Sequence, residues 1–264
     1  MEVRANGQFW FGKKENQKKG AQEILEGYKY RSGQKEVLVF VCKIMENILS
    51  KNQKNILNII SKDKLICDNF YLTGGTALAE FYLHHRLSED LDFFAENEFE
   101  PQGISVFFER IKKEAKIKKT EYHQSFNRNL FFLDLTNGSK VKMEFTYFPF
   151  ERIEKKEKIG DLYVDSLLDI AVNKVFTIYQ SPRSRDFIDL YFILQRYKDL
   201  SLDGLVKKAQ IKFGNYIDPI QLGAQYMKAK ELKDFPRMIT DIKENVWQDF
   251  FISEAKKLSE KIIE

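Results

Sequence analysis

Two glycines and two aspartates, separated by a short helical stretch, carry the chemistry that this 264-residue sequence offers. Gly74 and Gly75 follow an apolar run at residues 70–72 and precede the predicted helix. Glycines in such a turn let backbone N–H groups approach an anion closely, and a helix N-terminus adds partial positive charge. The turn therefore predicts a site for a phosphate group, although a glycine pair before a helix also occurs as an ordinary turn.

Asp90 and Asp92 lie two residues apart on a predicted strand, so their side chains leave from one face. Their Cα atoms would be roughly 6.6 Å apart, a spacing that suits shared divalent metal ions. Without a cation the two carboxylates would repel each other, and one would tend to hold a proton. A phosphate site beside a metal-binding carboxylate pair indicates phosphoryl or nucleotidyl transfer. The alternative is a solvated Asp-x-Asp at the edge of a strand.

The elements that position these residues are short. Residues 70–72 favour a strand, and Thr76 is placed to cap the helix that follows. That helix is predicted to end near Leu87, and a buried strand begins near Leu91. A strand, a turn, a helix and a second strand thus fit into twenty-five residues, 70–94.

The same stretch resembles the signature of the polymerase-β-like nucleotidyltransferase superfamily, in which a Gly-Gly or Gly-Ser turn and a helix precede Asp-x-Asp. The segments GGTALA and HHRLSEDLDFF are similar in particular to the AbiEii/AbiGii toxin branch, which includes the MenT-type toxins. The resemblance covers about residues 70–194. It implies a nucleoside triphosphate substrate, Mg²⁺ or Mn²⁺ held by Asp90 and Asp92, and a set of nucleotide-binding residues: Gly74, Gly75, Thr76, Arg86, Ser88 and Lys174.

A third carboxylate stands on a later strand. In VKMEFTYF, Val141, Met143 and Phe145 point to one face, whereas Lys142 and Glu144 point to the other. Enzymes of the resembled superfamily place a third metal-binding carboxylate on a neighbouring strand, and Glu144 fits that position. The alternative is an exposed glutamate on a half-buried strand.

Two helical segments carry the remaining family features. In DIAVNKVFTIYQ, Lys174 aligns with a lysine that contacts the triphosphate in the resembled toxins, and PRSRDFIDLYFIL resembles their Arg-Asp-x-x-Asp-Leu helix. Asp186 and Asp189 share one face of that helix. Either they form an ion pair with Arg183 or Arg185, or they pack beside Lys174 and orient it for catalysis.

The composition sets outer limits. The net charge of +4 permits a nucleic-acid partner without requiring one. Cys42 and Cys67 show neither metal spacing nor a disulfide framework, and no apolar run has the length of a membrane span, so a cytoplasmic protein without membrane association is expected. The histidines form no chelating pair, and no serine or cysteine stands in a nucleophile motif.

The predicted fold is α+β: a small mixed sheet with helices, followed by a helical half. Its divisions are a basic arm at residues 1–33, a nucleotidyltransferase core at 34–165 and a helical half at 166–264. Helices are predicted at residues 34–49, 56–65, 102–117 and 166–179, and strands at 120–126, 129–135 and 140–148. Asn137-Gly138 predicts a hairpin between the last two strands.

The resemblance also implies a biological role. In this branch the acceptor is often the 3′ end of tRNA, and the enzyme is the toxin of a toxin–antitoxin or phage-defence system with a cognate antitoxin. A lysine-rich run at residues 112–119 either contacts the tRNA or is a solvated helix face. Two alternatives stay open: nucleotidylation or phosphorylation of a protein such as the antitoxin, and a catalytically silent nucleotide-binding protein.

Overall fold

The structure, a computed structural model, describes residues 48–154 and 157–263. The predicted basic arm at residues 1–33 and nearly all of the predicted helix at 34–49 lie outside the described residues. Within the described ranges, no helix is both long and apolar enough to cross a membrane.

A seven-stranded mixed sheet forms the centre of the described part of the chain, in the order β3-β4-β5-β2-β1-β7-β6. Strand β2 lies in the middle, parallel to β5 and antiparallel to β1. The strands are β1 (Tyr71–Thr73), β2 (Asp90–Ala95), β3 (Ile117–Ser125), β4 (Arg128–Leu135), β5 (Lys140–Tyr147), β6 (Glu157–Ile159) and β7 (Leu162–Val164). The α+β prediction is confirmed, and the hairpin at Asn137-Gly138 joins β4 to β5 as predicted.

The helices are amphipathic, and most begin at a residue that caps them. Ser50, Asp63, Ser166, Ser201 and Asp218 each accept a hydrogen bond from a backbone N–H of the first helical turn. The helices are α1 (Lys51–Ile60), α2 (Lys64–Asn69), α3 (Gly74–Ala77) with a π-helical continuation (Leu78–Leu83), α4 (Pro101–Ile111), α5 (Leu167–Gln180), α6 (Ser184–Arg196), α7 (Leu202–Phe213), α8 (Pro219–Met227) and α9 (Glu244–Ile263).

Helix α4 covers one face of the sheet. Its buried residues Ile104, Phe107, Phe108 and Ile111 recur at helical spacing, and the ring of Phe108 lies 5.1 Å from that of Phe131 on β4. Hydrophobic burial therefore fixes this face of β2, β4 and β5 against the helix. The alternate side chains of the same strands are left to face the other way.

Three predicted helices have the wrong bounds. The helix after the glycine turn ends at Leu83, because His84 adopts the left-handed conformation, with φ of 55°. The helix predicted at 56–65 is two helices, broken at residues 61–63. Helix α4 ends at Ile111, and a left-handed Lys116 precedes β3. The lysine run at 112–119 therefore spans a helix end, a turn and a strand instead of one helix face.

Candidate active site

A cleft of about 910 Å³ opens where the ends of β1, β2 and β5 meet helices α5 and α6. Its floor contains Asp90, Asp92 and Glu144, and its wall contains Lys174 and Asp186. The strand register explains the floor: Asp92 pairs with Glu144 across β2 and β5, and Asp90 pairs with Lys142. The cleft therefore brings together residues from distant parts of the chain, such as Asp90 and Asp186.

The glycine turn fits closely around two charged side chains. Gly74 has φ of 75°, and a Cβ atom at this position would lie 2.5 Å from Oδ2 of Asp92. A Cβ atom on Gly75 would overlap the guanidinium of Arg86. Both positions require glycine for this reason, and Gly74 requires it for its backbone conformation as well.

Thr76 and Ser88 join the turn to β2. The buried Thr76 donates its hydroxyl to the carbonyl oxygen of Asp90, and its Oγ1 lies 2.7 Å from Oγ of Ser88. The predicted role of Thr76 as a helix cap is therefore wrong, because Thr73 occupies the N-cap position. Ser88 lines the cleft, as a phosphate-binding residue must.

Two of the three carboxylates on the floor are held by cations. Lys142 Nζ lies 2.5 Å from Oδ2 of Asp90. Arg128 donates two hydrogen bonds to Glu144, of 2.6 and 2.5 Å, and Thr146 donates a third of 2.9 Å. Glu144 is thus buried and bound, which differs from the exposed glutamate of the alternative interpretation.

Asp92 has a different environment. No cation in the described part of the chain lies within ion-pair distance of its carboxylate. Burial, and then the charges of Glu144 and Asp90, raise the pKa of Asp92 to about 6. Burial also acts on Glu144, but the hydrogen bonds and charge of Arg128 outweigh it and lower the pKa of that carboxyl. The floor therefore contains one carboxylate whose negative charge is poorly compensated.

The donor set fits a divalent metal in its chemistry. Across residues 48–154 and 157–263, no group of three or more His, Cys, Asp or Glu side chains stands ready to hold a metal ion. Two of the three floor carboxylates that could bind a metal ion already form ion pairs: Asp90 with Lys142, and Glu144 with Arg128. Carboxylate oxygens are the ligands that Mg²⁺ prefers, and the raised pKa of Asp92 shows that this corner favours additional positive charge.

A buried ionic network supports the cleft wall. Asp189 receives hydrogen bonds from Nε and Nη2 of Arg86, at 2.6 and 2.8 Å, and its Oδ2 lies 2.7 Å from Lys174 Nζ. Burial raises the pKa of Asp189, but the charges of Arg86 and Lys174 outweigh it and hold the pKa well below its usual range. Asp189 is therefore an ionised anchor beneath the cleft.

Asp186 completes the network. It lies 2.7 Å from Lys174 and 2.9 Å from Arg183, so it makes both of the contacts that the sequence left as alternatives. The side chain of Lys174 is 10% exposed where it borders the cleft, whereas that of Arg86 is 3% exposed and is occupied by Asp189. Lys174 is better placed than Arg86 to meet a bound anion.

Two of these contacts leave no recognisable pattern in the sequence. His85 is buried with Nε2 2.7 Å from Asp189, and burial lowers its pKa, so the ring is neutral and donates from Nε2. Arg128 was also missed. Its contact with Glu144 depends on how β4 and β5 align, which no local pattern reveals.

Comparisons with known proteins agree with this architecture. The chain is 35% identical over 167 residues to the uncharacterised protein aq_aa25 of Aquifex aeolicus (strain VF5), a match that covers 61% of this chain and 75% of that protein. Among solved structures, a putative nucleotidyltransferase from Helicobacter pylori has a TM-score of 0.52 at 19% identity, covering 81% of this chain and 97% of that one. That likeness shows a shared fold.

A weaker structural match is the nucleotidyltransferase toxin MenT4 of Mycobacterium tuberculosis, with a TM-score of 0.46 at 14% identity, covering 86% of this chain and 90% of that one. The decisive comparison is with sequence families. The family described as nucleotidyl transferase AbiEii toxin, type IV toxin–antitoxin system, matches residues 59–257. This match includes the glycine turn, all three floor carboxylates and the network around Lys174. The chain belongs to the AbiEii family of nucleotidyltransferase toxins.

Proposed function

We propose that this toxin transfers a nucleotide from a nucleoside triphosphate to the 3′ end of an RNA, and that the RNA is tRNA. The observation that carries the proposal is the corner around Asp92. There, the glycine turn that would bind phosphate touches a carboxylate with a raised pKa, flanked by two further carboxylates.

The triphosphate is bound by the turn and the wall that face each other across the cleft. Gly74 and Gly75 offer backbone N–H groups, Ser88 offers a hydroxyl, and Lys174 offers positive charge. Asp186 and Asp189 hold Lys174 in place. Arg86 acts through Asp189 and by packing against Gly75, so its role is to position the turn.

Asp90, Asp92 and Glu144 would hold Mg²⁺ or Mn²⁺. When bound, such ions align the triphosphate, lower the pKa of the attacking hydroxyl and neutralise the leaving pyrophosphate. The strand register of the chain itself places these carboxylates side by side. Two cations of the chain, Lys142 and Arg128, hold Asp90 and Glu144 in position.

The family description also implies a partner. A toxin of a type IV toxin–antitoxin system has a cognate antitoxin, and we propose that this chain has one. RNA is favoured as the acceptor because exposed arginines border the cleft, namely Arg128, Arg183 and Arg237. Cations at such a mouth match the phosphate backbone of an RNA.

Incubation with each α-labelled triphosphate, Mg²⁺ and total tRNA tests the proposal. We expect label in the RNA with the wild type and none with Asp92→Asn. Label that appears only in a protein would show that the acceptor is a protein and not RNA. Absence of label in either fraction, with all four triphosphates and with Mn²⁺ in place of Mg²⁺, would contradict the proposal.

A further inference from the structure

The floor of the cleft continues sideways into a broader surface on β3, β4 and β5. Strand register extends one row from Asp92 and Glu144 to Leu130 and His123. A second row runs from Asp90 and Lys142 to Phe132. This face is opposite to the one that α4 covers, and its outer side chains stay open: His123 is exposed, and Leu130 and Phe132 are half-buried.

Aromatic rings are a prominent feature of this surface. The rings of His123 and Phe132 lie 5.5 Å apart and nearly perpendicular, on adjacent strands. At the tip of the same β3–β4 hairpin, Phe126 is 94% exposed. The residues that follow it in the chain, Asn127 and Arg128, border the cleft.

Folding does not account for Phe126. It is the first of two loop residues between Ser125 and Arg128, and its φ of 53° lies in the left-handed region. Glycine is the residue favoured at such a position, and an aromatic side chain there is strained. Because the ring buries almost no surface, it returns no packing energy for that strain. A ring that projects into solvent from a strained residue is available for contact with another molecule.

The position of the rings indicates what that molecule is. The four cations of this face are each paired with a carboxylate: Arg128 with Glu144, Lys142 with Asp90, Lys119 with Glu121 and Lys140 with Asp134. Charge therefore does not distinguish this surface. Open rings on the same face as the cleft floor match the unpaired bases of a single-stranded nucleic acid, which stack on aromatic side chains.

We infer that this surface, named here the β3–β5 platform, binds the unpaired end of the RNA acceptor and leads it to Asp92. Strands lie about 4.8 Å apart, so His123, three strands from Asp92, is about 14 Å from the carboxylate floor. Sheets that present rings in this way stack two or three bases. The inference rests on the proposed function, because it takes RNA as the acceptor.

A matched pair of variants tests the platform. The double variant His123→Thr/Phe132→Val removes both rings and keeps residues that favour strands. The control Gln124→Thr changes an exposed neighbour on the same strand whose side chain points to the opposite face. Binding of a fluorescein-labelled single-stranded oligoribonucleotide is measured by anisotropy without triphosphate, and the KM for tRNA is measured separately.

We expect the double variant to bind the oligoribonucleotide about tenfold more weakly or worse, with a raised KM for tRNA and unchanged stabilisation by triphosphate. Gln124→Thr should match the wild type. Phe126→Gly is a second variant that cannot fail through lost packing. It should weaken RNA binding while leaving the melting temperature equal or higher.

The outcomes separate the platform from the proposed transfer. If the wild type labels tRNA and the ring variants bind and modify it equally well, the proposed role of the platform is contradicted and the proposed nucleotidyl transfer is supported. If the wild type binds RNA through these rings but labels none, the role of the platform is supported and the nucleotidyl transfer is contradicted. A wild type that binds no RNA overturns the platform.

Discussion

At the scale of single residues, the cleft floor combines three carboxylates with two cations. Asp90 and Glu144 each form an ion pair, whereas Asp92 forms none with the residues that the structure describes. Its raised pKa follows from burial beside Glu144 and Asp90. Asp90, Asp92, Glu144 and Lys174 were predicted from sequence as site residues, and the structure brings them around one cleft. Their roles in metal and triphosphate binding stay predictions.

Asp92→Asn should lower the rate of nucleotidyl transfer by about a thousandfold or more, because it removes an anionic oxygen from the proposed metal site. It should leave the fold intact and raise the melting temperature in EDTA, since the repulsion from Glu144 and Asp90 disappears. Labelling assays and thermal unfolding measure the two effects. Asp161→Asn, at an exposed turn, is the control that should change neither. Near-normal labelling by Asp92→Asn would contradict the assignment.

Asp189→Asn should destabilise the protein by about 3–5 kcal/mol, because it leaves Arg86 without its buried counter-ion and removes one of two from Lys174. Urea unfolding measures this loss. Arg183→Gln alters a side chain that is 45% exposed and should cost less than about 1 kcal/mol. Equal effects from both variants would show that burial of the network contributes little.

At the scale of elements, periodicity succeeded where one face of a long segment is apolar. It predicted α5 and the strands β3, β4 and β5 to within a few residues. It failed at two helix ends: the left-handed His84 stops the helix after the glycine turn, and α4 ends at Ile111, before a turn that leads to β3. It also gave no prediction for the short β6 and β7. The pairs Lys142–Asp90 and Arg128–Glu144 depend on strand register, which local sequence does not specify.

The junction of β1 and β7 contains a buried acid that no ion pair neutralises among the described residues. Asp165 accepts a 2.7 Å hydrogen bond from Thr73, the residue that precedes the glycine turn, while its Oδ1 has no partner. Burial raises the pKa of Asp165 to about 7. The native state therefore binds its proton more tightly than the unfolded state does.

The stability contributed by protonated Asp165 should be complete below the unfolded pKa near 4 and decline as pH rises through about 7. Asp165→Asn should remove this decline and raise the free energy of unfolding at pH 8, by an amount on the order of a few kcal/mol. Chemical denaturation from pH 5 to pH 8 measures it. The same pH slope in wild type and variant would contradict the assignment.

At the scale of the whole molecule, the cleft joins the sheet to the helical half. A triphosphate that binds the glycine turn and Lys174 together should stabilise both. At a concentration 100 times its Kd, the gain is about 2.7 kcal/mol, or roughly 5–10 °C in melting temperature for a chain of this size. Differential scanning fluorimetry with each triphosphate and Mg²⁺ measures it. No shift with any of them would contradict the proposed triphosphate site.

The buried ion pair between Arg86 and Asp189 affects the order in which the site forms during synthesis. The two residues are separated by 103 positions, and α6, which carries Asp189, is synthesised long after the glycine turn and the carboxylate strands. A growing chain on the ribosome therefore displays Asp90 and Asp92 before it can fix Arg86 or hold Lys174 between its two acids. We therefore expect chains that end before α6 to lack nucleotidyl-transfer activity.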